Sequence, residues 1–122
     1  MALRAHGWRT IRAAVKSNIE LTRLLEALLA ERGFRVLEGG ELSVACARWE
    51  PRDRTAEAID RLQDAIARDV VSSGKAWFST TRHAGCTWLR FNMLNLYTRE
   101  GHVRRLADLL AATASRAATQ AP

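Results

Sequence analysis

The sequence predicts an α+β fold: a long N-terminal helix, then a ββαββα unit with a mainly antiparallel four-stranded sheet and its helices on one face. Three observations lead there. Apolar residues recur every three or four positions in three separate segments. Four short segments rich in β-branched and aromatic residues lie between them. These strands come in two pairs, each joined by a short glycine-containing turn that only an antiparallel hairpin can use.

The first helix is read over 3–32, from the stripe Trp8, Ile11, Val15, Ile19, Thr22, Leu25 and Leu29, widened by Leu21, Leu24 and Leu28. Gly33 is its natural stop, because glycine accepts a left-handed C-terminal conformation. The strands 34–37 and 42–49 follow, turned by the glycines of EGGE, and Pro51 ends the second. Thr55 caps the next helix, whose stripe is Ile59, Leu62, Ile66 and Val70 and whose end is Gly74. A second hairpin joins 75–81 to 86–95 across RHAG. Thr98 caps a last helix with Val103, Leu106 and Leu110 inward. The expected organisation is a helix over 1–33, a small α/β domain over 34–113 and a flexible tail over 114–122.

Composition narrows the function classes. The 122 residues suit one domain with one core, and no apolar run approaches the roughly 20 residues of a membrane helix. The opening MALRAHGWRT lacks the apolar core of a signal peptide, so a cytoplasmic protein is expected. Cys46 and Cys86 form no CxxC pair, and His6, His83 and His102 show no ligand spacing, so neither a disulfide nor a metal centre is expected. The net charge of +6 raises nucleic acid as a partner, but the basic residues are scattered rather than gathered into a patch.

The stretch WLRFNMLN, residues 88–95, sets the functional question. Alternation puts Leu89, Phe91 and Met93 on one face of a strand and Trp88, Arg90, Asn92 and Leu94 on the other. The first set reads as core. The second reads as half of an interface, with an arginine at its centre and Trp49 or Trp77 as further aromatic neighbours.

The stretch GKAWFSTTRHAGCTWLRFNMLNLYTREGHVRRLADLL resembles the C-terminal end of the pyridoxal-phosphate-dependent group II amino-acid decarboxylases. The likeness is carried by Ser79-Thr80-Thr81-Arg82 closing a strand, by Leu89-Arg90-Phe91 in the next, and by His102-Val103 with Arg105 opening a helix. LSVACARW is similar to the family's strand of Leu-x-x-Val-Cys-Phe-Arg type, and the N-terminal helix to the one linking its large and small domains. One departure is Asn95-Leu96, where many members have Asn-Pro.

The resemblance implies the small domain of a fold-type I enzyme, completed by a large domain or subunit that binds pyridoxal phosphate. It also implies a homodimer of the complete enzyme and an amino-acid substrate. The family's catalytic lysine lies in the large domain. Lys16 and Lys75, the only lysines here, do not sit in its His-Lys context and read as surface charges. No catalytic and no cofactor-binding residue is therefore expected in this chain, which should not act alone.

Two roles stay open for Arg90. Its head can pair with a carboxylate of its own domain while its stem covers the sheet. By resemblance, it instead contacts the substrate carboxylate, which a planar guanidinium grips by two parallel hydrogen bonds. Carbon dioxide leaves as a neutral molecule, so the expected role is to position the carboxylate, not to move a proton. Ser79, Thr80, Thr81 and Asn92 are candidate cleft-lining neighbours. The competing functions are a basic nucleic-acid-binding module that stacks bases on Trp88, and a catalytically inactive structural subunit.

Overall fold

The computed structural model describes the backbone of residues 2–37, 43–92 and 99–120, and side chains over those spans from Arg12 onward, Ala14, Val15 and Gln120 excepted. The chain order is α1 (Ala2–Glu31), β1 (Arg35–Val36), β2 (Val44–Arg48), α2 (Ala56–Ser72), β3 (Ser79–His83), β4 (Cys86–Asn92) and α3 (Glu100–Gln120). This is the α+β order read from the sequence. The four strands form one antiparallel sheet in the order β1-β2-β4-β3.

α1 runs 30 residues, about 45 Å at 1.5 Å per residue. Among its described side chains burial begins at Asn18 and continues through Thr22, Leu25, Leu28 and Leu29. Trp8, Ile11 and Val15 of the expected stripe lie outside the described side chains. The helix stops at Gly33 (φ 93°). Gly33 N–H donates to Ala30 O and Phe34 N–H to Leu29 O, the paired bonds of a Schellman end. A Cβ at Gly33 would also stand 3.3 Å from the Trp49 ring, so both backbone and packing call for glycine.

The core lies between the helices and the sheet face that carries Ala45, Ala47, Leu89 and Phe91. Leu25 and Leu29 come to it from α1, Leu62, Ile66 and Val70 from α2, and Val103 and Leu110 from α3. Small alanines in β2 let α1 approach the sheet closely, while α3 lies across both other helices. Thr55 caps α2 as expected, its hydroxyl accepting from Ala58 N–H at 3.1 Å. The β3–β4 turn is Ala84 (φ 50°) and Gly85 (φ 79°), the two left-handed residues that a tight hairpin turn requires.

Three expectations need correction. The third strand begins at Ser79, not at Lys75, and residues 75–78 approach it as irregular chain with Trp77 exposed. The tail expected from residue 114 is instead helical: α3 continues to Gln120 and buries Ala114 and Ala117, whose small side chains gave the impression of a polar end. The stripe of α2 includes Gln63, fully buried, where only apolar residues were expected. Leu42, Met93, Leu94, Asn95, Leu96 and Thr98 lie outside the described residues, as do the EGGE turn and the end expected for the fourth strand.

Candidate functional site

β4 is an inner strand, so both its faces are set by neighbours. Its register places Cys46 of β2 and Ser79 of β3 directly opposite Arg90, one on each side. Val44 stands opposite Asn92 and Thr81 opposite Trp88. Residues that share a rung share a face. Arg90, Asn92, Ser79, Thr81, Cys46 and Val44 therefore occupy the sheet face turned away from the helices. Thr80 pairs with Leu89 and belongs to the helix face, so the structure does not bring it to Arg90.

Arg90 is half-buried. Among the described residues it is the only arginine that is not fully exposed and has no hydrogen-bond or ion-pair partner. The carboxylate of its own domain, one of the two partners open to it, is not there among the described residues. Asn92 is exposed at the same edge of the face. The thiol of Cys46 is raised above its ordinary pKa by burial; Arg90 draws it down and Glu26 pushes it up.

The aromatic neighbours differ from the expectation. Trp88 is 3% exposed, with the Arg35 guanidinium 5.5 Å from its ring centroid and Arg35 held by Glu50 at 3.3 Å. Its Nε1–H is buried without an acceptor among the described residues. Trp49 packs on Phe34 with ring centroids 4.9 Å apart, beside the core. Among the described residues Trp77, 84% exposed, is the large apolar residue left open to solvent.

At the other end of β4 lies a polar cluster that the sequence reading missed. Arg48, 2% exposed, donates Nη1 to Asp60 Oδ1 (2.7 Å) and to Thr87 O (2.7 Å), and Nε to Glu50 (3.0 Å). Asp60 Oδ1 also accepts from Thr87 N–H at 2.9 Å. Thr87 N–H above all, then the Arg48 guanidinium, hold the Asp60 carboxyl below the usual carboxylate range. Beside them Gln63 accepts from Trp49 N–H (2.9 Å) and donates to Trp49 O (2.6 Å). The signal was present: Gln63 follows Leu62 on the apolar stripe, and a buried amide must find backbone partners.

Lys16 is exposed on α1 and Lys75 is exposed after Gly74. Among the described residues no three His, Cys, Asp or Glu side chains converge as metal ligands. No helix there is long and apolar enough to cross a membrane. His83 is exposed at the hairpin, opposite Cys86.

No family model matches the chain. Its curated relatives include the aromatic-L-amino-acid decarboxylase of Catharanthus roseus, 22% identical over 111 residues, and tyrosine decarboxylase 2 of Arabidopsis thaliana, 26% identical over 117. The alignments cover 90% and 95% of this chain but 22% of each relative. This chain is similar to one part of the aromatic-amino-acid decarboxylases. The resemblance read from Leu89-Arg90-Phe91 and its flanking motifs is thus borne out. The decarboxylase-like fold agrees with solved structures. Oryza sativa TDC with PLP superposes with a TM-score of 0.83 at 22% identity, over 93% of this chain and 25% of that one. Catharanthus roseus tryptophan decarboxylase in complex with L-tryptophan gives 0.76 at 23% identity, over 93% and 25%. The decarboxylase-like chain spans about a fifth of the length of the curated relatives it matches.

Proposed function

We propose that the chain is the C-terminal small domain, or a separate small subunit, of a pyridoxal-phosphate-dependent amino-acid decarboxylase, and that Arg90 positions the substrate carboxylate. The observation that carries the reading is Arg90 itself: an arginine held in an inner strand, on the face away from the core, with its fork unspent among the described residues. A guanidinium in that state is set to take a carboxylate from outside the domain. Ser79, Thr81 and Asn92 share its face and would line the same cleft, while Thr80 would not.

The lysine that holds the cofactor belongs, in this reading, to a larger domain or subunit of ~300 to 400 residues, which also binds pyridoxal phosphate. When bound there, that cofactor accepts the electrons released by the departing carboxylate. The assembled enzyme is a homodimer in the cytoplasm. The buried Trp88, covered by Arg35, offers no exposed ring for base stacking, which speaks against the nucleic-acid module.

The test has two arms. Pyridoxal phosphate mixed with the chain alone should give no specific absorbance band near ~420 nm, and a band should appear when the candidate large partner is added. A saturable band from the chain alone would make Lys16 or Lys75 a real site and overturn the reading. In the assembled enzyme Arg90→Lys should cut turnover by about 100-fold, because lysine cannot reproduce the fork. An unchanged rate would assign the chain to the structural-subunit class.

A further inference from the structure

We propose that Asp60 and Arg48 are positioning residues for Arg90: they replace a missing strand partner at Thr87 and so fix how β4 presents Arg90. The functional weight of this inference rests on Arg90 receiving the carboxylate; the placement of Arg90 does not.

The β2–β4 ladder runs from Val44 opposite Asn92 to Ala47 opposite Leu89. Two residues further, the same register would set Trp49 opposite Thr87. That rung is open. Trp49 gives both its N–H and its C=O to the Gln63 side chain. Thr87 gives its N–H to Asp60 and its C=O to Arg48. Asp60 and Gln63 stand three apart on one face of α2, so a single helix serves both sides of the split. Arg48 closes the cycle by binding Asp60 and Thr87 with the same Nη1. The result is a polar splint between two strands, built of groups that leave no backbone atom of that rung unsatisfied.

Such a splint governs position as well as stability. An ordinary rung sets the strand separation by two backbone bonds and lets neighbouring rungs slide with it. Here β4 is pinned on its β2 side to α2 through Thr87, three residues before Arg90, while Thr87 still pairs with Arg82 of β3 on the other side. Arg82 adds to the pinning by donating to Thr87 Oγ1 at 3.2 Å. The strand is therefore fixed from both sides just before the residue whose fork must meet a ligand. Placement within about half an ångström is what productive binding asks of such a group.

Cys46 supplies a ruler that needs no substrate. It faces Arg90 across one rung, and the guanidinium favours its thiolate. In a Cys86→Ser background, the pH–rate profile of Cys46 alkylation by iodoacetamide reports the distance to Arg90. Arg90→Met calibrates it and should raise the midpoint by about half a pH unit. Asp60→Asn keeps an oxygen for Thr87 N–H but no charge for Arg48. It should raise the midpoint part of the way to the Arg90→Met value as β4 shifts. Removing the Asp60 charge alone would lower the midpoint, so a rise reports movement of Arg90. An Asp60→Asn protein with a lower Tm and an unchanged or lowered midpoint overturns the proposal. If Asp60→Asn does not fold, Asp60→Glu decides in the same way, since it keeps the charge and displaces it by one methylene. A failed Arg90→Lys assay would leave this readout intact, so the two readings fail separately.

Discussion

Arg48 and Arg90 make an instructive pair. They stand on neighbouring inner strands, and Arg90 lies opposite Cys46, two residues from Arg48. Arg48 is almost fully buried and spends its head on Asp60, Glu50 and Thr87 O. Arg90 is half-buried and spends nothing among the described residues. A buried charge persists only if its partners make up for the lost water. Arg48 has those partners, and its role ends inside the domain. Arg90 keeps enough water to stand without a partner among the described residues, at the place where an incoming anion would find a ready donor. The same residue type thus performs opposite tasks, and the difference lies in which acids come within reach: Glu50 and Asp60 meet Arg48, and none among the described residues meets Arg90.

Mutation can break this contrast, and the largest effect belongs to the acid that pairs with Arg48. Asp60→Ala should destabilise the chain by about 3–5 kcal/mol, since it leaves Arg48 buried with less compensation and Thr87 N–H without an acceptor. Arg90→Met should change stability by less than about 0.5 kcal/mol, because no bond among the described residues is lost. Urea midpoints of the two variants give the comparison directly, and equal losses would erase the distinction.

Gln63→Ala comes next, at about 2 kcal/mol, because Trp49 loses partners for both its N–H and its C=O. The acid limb of stability sharpens the picture further. The folded Asp60 carboxyl lies below its ordinary range, so folding favours its charged form. Its contribution is complete above the unfolded value of about 3.9 and is lost as pH falls through the lower folded value. Asp60→Asn should therefore show a flatter decline in Tm below about pH 4 than the parent chain. Thr55→Ala should cost about 1 kcal/mol through the lost cap on Ala58 N–H. The smallest effect is expected from Trp77→Ser, within about 0.5 kcal/mol in the isolated chain, because that side chain stands in solvent.

These particulars also show what a sequence discloses. Gly33 and Thr55 could be read because helix ends are local chemistry, decided by one backbone conformation or one side-chain oxygen. The stripe Leu62, Ile66, Val70 could be read because burial imposes a period. The face of Arg90 follows from strand alternation, because Leu89 and Phe91 on the other side form the core. The full set of Arg48 partners could not be read, because Glu50 is local but Asp60 and Thr87 come from segments joined to it only by folding. The start of β3 was misplaced because Trp77 and Phe78 have strand propensity, yet the chain reaches the ladder only at Ser79. Trp88 reads as part of an interface face because alternation assigns a face but does not say that Arg35 will lie across it.

The open rung between Trp49 and Thr87 bears on the order in which the chain assembles. Most antiparallel rungs can close as soon as two strands meet, by a zipper of backbone bonds. This one has to wait for α2, since the groups that complete it sit on that helix at Asp60 and Gln63. The last step of β2–β4 pairing and the docking of α2 should then be a single event, with amides on both elements protected from hydrogen exchange at the same rate. The splint would make the helix and the sheet one cooperative unit, so that neither forms a lasting half-structure without the other.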